Sequence, residues 1–111
     1  MKENILLQLT QEFAVDIIRV ARILASKGEH GFADQIKRSG TSISANVSEG
    51  NHPQSRADMI SKFEIALKEA SETGYWLELL YETGSISEVE FKNHQKSCIE
   101  LRRMLVSSIT T

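Results

Sequence analysis

The chain has 111 residues, of which 41% are hydrophobic and 25% charged, with a formal net charge of −2. These values fit one ordinary soluble domain spanning residues 1–111, large enough to bury about two-thirds of its unfolded surface, and they give no global pull toward nucleic acid or an anionic membrane. One proline and six glycines are too few for an all-β fold, and no apolar run exceeds three residues, so nothing spans a bilayer. Gln8, Thr10, Gln11 and Glu12 interrupt any signal-like core at the start, and Cys98 stands alone, so no internal disulfide forms and a reducing cytoplasm is expected.

The first predicted helix runs from Asn4 to Lys27. Leu6, Leu9, Phe13, Ile17, Val20 and Leu24 recur at alternating three- and four-residue steps, the seam of a packed helix. Gly28 supplies its left-handed stop, and "GEHG" reads as the turn. The second helix runs from about Phe32 to Glu49, with Ile36, Gly40, Ile43 and Val47 on one stripe. Gly50 is expected to end it, before a connector containing Pro53.

Ser55 and Asp58 cap the third helix, Arg56 to Glu82, whose Met59, Phe63, Ala66, Ala70, Leu77 and Leu80 line one face. Gly84 stops it, and Ser87 with Glu90 reads as a capping box. The fourth helix carries Phe91, Cys98, Leu101, Leu105 and Ile109 at near-heptad spacing. Short connections make sequential helices antiparallel, so the fold class is all-α, an up-and-down four-helix bundle.

Helix two is built from mediocre helix formers. Its Ser39, Gly40, Ser44 and Ala45 are expected to let a neighbouring backbone approach, against a small ridge of Ala66, Ala70 and Gly74 on helix three. Thr41, Ser42, Asn46 and Ser48 then either face solvent or bond carbonyls one turn back. Ile5, Ile18 and Ile23 on helix one, and Ile65, Tyr75 and Leu79 on helix three, fall outside the main seams. They imply either a second contact surface or a wide core stripe.

"IKRSGTSISANVSEG" followed by "SRADMISKFEIALKEASETGYWLELL" resembles the four-helix-bundle family found as open reading frames in intervening sequences of bacterial large-subunit ribosomal RNA genes. The resemblance is strongest from Gln35 to Leu80, and it departs at Gly74, where the family usually has Glu. It implies a homo-oligomer, typically a pentamer, with no established enzymatic activity. The related accessory proteins of diversity-generating retroelements bind reverse transcriptase and nucleic acid, so a protein or nucleic-acid partner is in view.

Two sets of residues are singled out. Glu69, Glu72 and Trp76 share a helical stripe facing the cationic Arg38, with Asn46 joined to them as a polar cluster between helices or between subunits. The same residues read alternatively as a solvated face, or as the inter-subunit site of a small enzyme using Arg38, Glu69 and Glu72. Lys92, Lys96 and Arg103 step along one face of helix four beside Arg102, a candidate nucleic-acid contact. Interleaved Glu88, Glu90 and Glu100 favour instead a mixed-charge solvated face.

No further chemistry is expected. A di-iron bundle needs Glu-x-x-His twice, whereas Glu49 to His52 has that spacing once and straddles a helix stop. No nucleophile–base pair or phosphate loop is present in the sequence, and Cys98 reads as a small buried hydrophobe. No catalytic residue, metal or cofactor is assigned.

Overall fold

Local chemistry fixes several of the helix ends. The computed structural model describes the backbone of residues 2–111 and the side chains of residues 5–111. Four helices follow in order: α1 Lys2–Ser26, α2 His30–Gly50, α3 Arg56–Glu82 and α4 Glu88–Thr110. Ser55 accepts from the Asp58 amide at 3.0 Å to start α3. At the start of α4, Ser87 accepts from the Glu90 amide at 3.1 Å while the Glu90 carboxylate accepts from the Ser87 amide at 3.2 Å. Each bond satisfies an amide that the first helical turn would otherwise leave bare.

Glycine closes α1 and α3 in the same way. Gly28 and Gly84 have φ of +85° and +77°, where a side chain would be strained. After each, an amide reaches back five residues, Glu29 to the Leu24 carbonyl at 2.9 Å and Ser85 to that of Leu80 at 2.8 Å. Gly50 behaves otherwise. It is the last helical residue of α2, buried, and a Cβ there would lie 2.5 Å from the Phe63 ring. The glycine is needed for close approach, not for a left-handed stop. The turn after Gly28 is also shorter than "GEHG", because α2 resumes at His30.

The helices form an all-α, up-and-down four-helix bundle, 44 × 21 × 18 Å, with α2 packed between α1 and α3, and α4 against α3. The contact of α4 with α1 is much the slightest. Leu6, Phe13, Ile17, Val20 and Leu24 are buried as their spacing predicts, together with Ile36, Ile43, Val47, Phe63, Leu77, Leu80, Cys98, Leu101 and Leu105. Leu9 is only half-buried, and Thr10 takes the interior position with its hydroxyl donated to the Leu7 carbonyl at 2.8 Å.

The small residues work as sockets rather than as two matched ridges. A Cβ on Gly40 would sit 2.7 Å from Ile17 Cγ2, so this glycine admits α1. Ala70 and Gly74 instead receive α4: the Cys98 thiol donates to the Ala70 carbonyl at 3.1 Å, and the Gln95 amide to that of Gly74 at 3.3 Å. Ser39 and Ala45, expected to act alike, differ, for Ser39 is buried against α3 whereas Ala45 is exposed. Thr41, Ser42 and Asn46 donate to the carbonyls of Lys37, Arg38 and Ser42 at 2.8, 2.7 and 2.8 Å, which keeps a polar helix hydrogen-bonded to itself.

Candidate functional site

Two surface features bring chemistry-bearing side chains together, one on each flank of α3. On the α2 flank, Arg38 reaches across to the two carboxylates that its neighbour spaces three residues apart. Its Nη1 donates to Glu69 Oε2 at 3.3 Å, and its Nη2 donates to Glu72 and, at 3.5 Å, to Gln35 Oε1. Glu72 Oε2 also accepts from the Trp76 indole at 3.3 Å. The Trp76 ring is edge-packed on Phe32 at 5.9 Å and on Tyr75 at 5.2 Å, which fixes the indole that orients Glu72.

Beneath this clamp the seam stays polar. The Thr73 hydroxyl lies 2.9 Å from Ser39 Oγ and donates to the Glu69 carbonyl at 2.8 Å, both side chains being buried. The Arg38 side chain remains 53% exposed while that of Glu69 is 12% exposed. A guanidinium lying over two carboxylates at a rim offsets part of their charge and ties α2 to α3. Asn46 lies two turns further along α2 and bonds within its own helix, away from this group.

On the other flank, α3 and α4 leave between them an open groove of about 530 Å³ lined by Leu67, Ser71, Ile99, Arg102, Arg103 and Val106. A shallower continuation shares Ile99 and Arg103 and extends to Phe91, Lys92, Gln95, Lys96 and one carboxylate, Glu100. Ile99 and Val106 are 40% and 46% exposed, unusual for aliphatic side chains set side by side. All four cations singled out in the sequence therefore edge one apolar trough. Lys92 pairs with Glu88 at 3.5 Å, whereas among the described residues Arg102 and Arg103 have no ion-pair partner. Sequence spacing could have found the apolar strip, because Ile99 and Val106 each follow a seam residue, Cys98 and Leu105, by one position.

The remaining reactive groups are structural. Burial pushes the Cys98 thiol up to about 11, partly opposed by the Arg102 charge. Such a thiol stays protonated and unreactive at neutral pH. The Tyr81 hydroxyl donates to the Glu88 carboxylate at 3.1 Å, which raises the phenol above its ordinary pKa, and its ring stacks on Phe91 at 4.6 Å. Among the described residues no group of three or more His, Cys, Asp or Glu comes together that could hold a metal ion, and no helix is long and apolar enough to cross a membrane.

The architecture has a close counterpart. A crystal structure of a protein of unknown function from the S23 ribosomal protein family of Bacteroides thetaiotaomicron superposes with a TM-score of 0.97 at 44% identity, covering 100% of both chains. No relative is matched among curated proteins. The family model described as 23S rRNA-intervening sequence protein matches residues 2–107, and the chain belongs to that family.

Proposed function

We propose that the protein is a non-enzymatic, homo-oligomeric four-helix-bundle scaffold that presents a repeated cationic surface to a partner. The observation that carries this reading is the apolar surface left uncovered on separate helices: Ile5 and Ile23 on α1, Ile99 and Val106 on α4. A chain this small gains by covering such residues with further copies of itself. Copies arranged symmetrically repeat Lys92 and Lys96 once per subunit, so a weak local patch becomes multivalent. A pentamer is the size that the family resemblance implies. The exposed Lys92 and Lys96 make RNA the partner to test first.

An enzyme with an inter-subunit site at Arg38, Glu69 and Glu72 finds less support, because those carboxylates are already engaged within one chain. The test is size-exclusion chromatography with light scattering, reading protein and nucleic-acid absorbance together. A salt-sensitive ribonucleoprotein oligomer that loses its RNA in Lys92→Ala/Lys96→Ala, with unchanged subunit number, is the expected result. A monomeric protein that binds no RNA would sink the scaffold reading.

A further inference from the structure

We infer that the α3/α4 groove is the socket for a second copy of this chain, entered by the exposed ridge of α1; this rests on the self-association proposed above. The ridge is a single stripe. Ile5, Glu12, Asp16 and Ile23 stand at steps of seven, four and seven residues, which places them on one side of a helix. All are exposed, and the order along the ridge is apolar, acidic, acidic, apolar. Glu12 accepts a neutral donor, Gln8 at 3.1 Å, and Asp16 has only a loose pair with Arg19 at 3.7 Å.

The groove is the complement in charge and length. Leu67, Ile99 and Val106 give it an apolar floor, and Arg102 and Arg103 give it guanidinium groups without ion-pair partners among the described residues. With its continuation to Phe91 it follows α4 for about 22 Å, against about 27 Å from Ile5 to Ile23 on the ridge. An amphipathic helix laid in such a groove buries its aliphatic ends and brings carboxylates to guanidinium, the geometry that gives bidentate pairing.

Charge also excludes the simplest alternative. Two grooves facing one another would set Arg102 and Arg103 against their own copies, and two ridges would oppose Glu12 and Asp16. Ridge into groove joins different patches of one surface. Unless two copies engage reciprocally about a two-fold axis, the contact is heterologous, and it passes from copy to copy until the rotation closes a ring.

Charge reversal tests the pairing, with light scattering at fixed protein concentration and moderate salt as the readout and a circular-dichroism melt to confirm folding. Glu12→Lys/Asp16→Lys and Arg102→Glu/Arg103→Glu should each drop the mass from that of the oligomer to the single chain's 12.5 kDa. The chain carrying all four substitutions, with ridge and groove charges exchanged, should reassemble to the wild-type mass, whereas an equimolar mixture of the two dissociated variants should associate only by alternation, into species with even numbers of subunits.

An oligomer whose mass is untouched by either pair would overturn this interface while leaving self-association intact. Dissociation by both pairs with no rescue would overturn the pairing of these two faces. Loss of bound RNA from Arg102→Glu/Arg103→Glu at unchanged mass would give the groove to nucleic acid instead. A wild-type monomer would remove the self-association reading itself, and the interface with it.

Discussion

α2 and α4 are of similar length and flank the same helix, yet they are held in different ways. α2 is fitted through glycine. Gly40 lies against Ile17 and Gly50 against the Phe63 ring, each so near that a single added carbon would collide. α4 is fitted through long or soft side chains, Gln95 and Cys98 filling the space over Gly74. The first arrangement leaves no room for a methyl group between the helix and its neighbour. The second cushions it and leaves its outer edge, with Ile99, Val106 and the arginines, open along a groove. Among the described residues the exposed large apolar side chains lie on α1, α3 and α4, and α2, the helix fitted through glycine, carries none.

The sharpest way to break this contrast is Gly40→Ala. Alanine gains about 1 kcal/mol of helix propensity over glycine, but here its methyl meets Ile17 Cγ2 at 2.7 Å and Ile17 Cβ at 3.0 Å. The Cβ belongs to the stem of a buried side chain and cannot swing aside. Overpacking of that kind costs about 1–3 kcal/mol; set against the propensity gain, urea denaturation should show a net loss of up to about 2 kcal/mol, with an unchanged slope.

Cys98 probes the cushioned side by titration. Its folded pKa is raised to about 11 by burial, above the ordinary thiol value. Below the unfolded pKa both states are protonated and the full stability is present. As pH rises from about 9 to about 11 only the unfolded thiol ionises, so stability should fall, by on the order of 2 kcal/mol. Cys98→Ala should reduce that slope in pH-dependent urea melts, leaving the part contributed by Tyr81, whose phenol is also raised; a slope unchanged by the substitution would assign it to other groups.

The clamp between α2 and α3 comes next in size. Arg38→Ala leaves Glu69 and Glu72 facing each other without a cation. Because the guanidinium is more than half exposed, a loss of about 1 kcal/mol is expected, shrinking in molar salt. Thr73 and Ser39 below should hold the helix register meanwhile, which a retained near-ultraviolet signal from Trp76 would report.

How far this was legible in sequence follows from the range of the forces involved. The caps at Ser55, Ser87 and Glu90 and the stops at Gly28 and Gly84 act within one turn, so their spacing suffices to place the helix ends. Gly50 misleads because a glycine that ends a helix and one that admits a ring look alike in a string of letters. The Arg38, Glu69 and Glu72 grouping is readable as a three-residue carboxylate step opposite a cation. Asn46 is not, since its amide chose the carbonyl one turn back, a bond available on any helix. The groove is hidden for a different reason: exposure of Ile99 and Val106 depends on how α3 and α4 pack together, which is a sum over the whole core.

Gly74→Ala carries the smallest effect and the opposite sign, which makes it the closest control for Gly40→Ala. The new methyl would meet Gln95 Oε1 at 3.1 Å and Cys98 Sγ at 3.6 Å, with the Gln95 amide carbon at 3.9 Å. The tightest of these is the far end of a flexible side chain, which can rotate by a few tenths of an ångström while its amide keeps the Gly74 carbonyl bond. The propensity gain of about 1 kcal/mol then survives in large part, and the midpoint of urea unfolding should rise, corresponding to about 0.5 kcal/mol. A loss comparable with that of Gly40→Ala would mean that α4 is seated as rigidly as α2, and the distinction between a socketed helix and a cushioned one would have no energetic content.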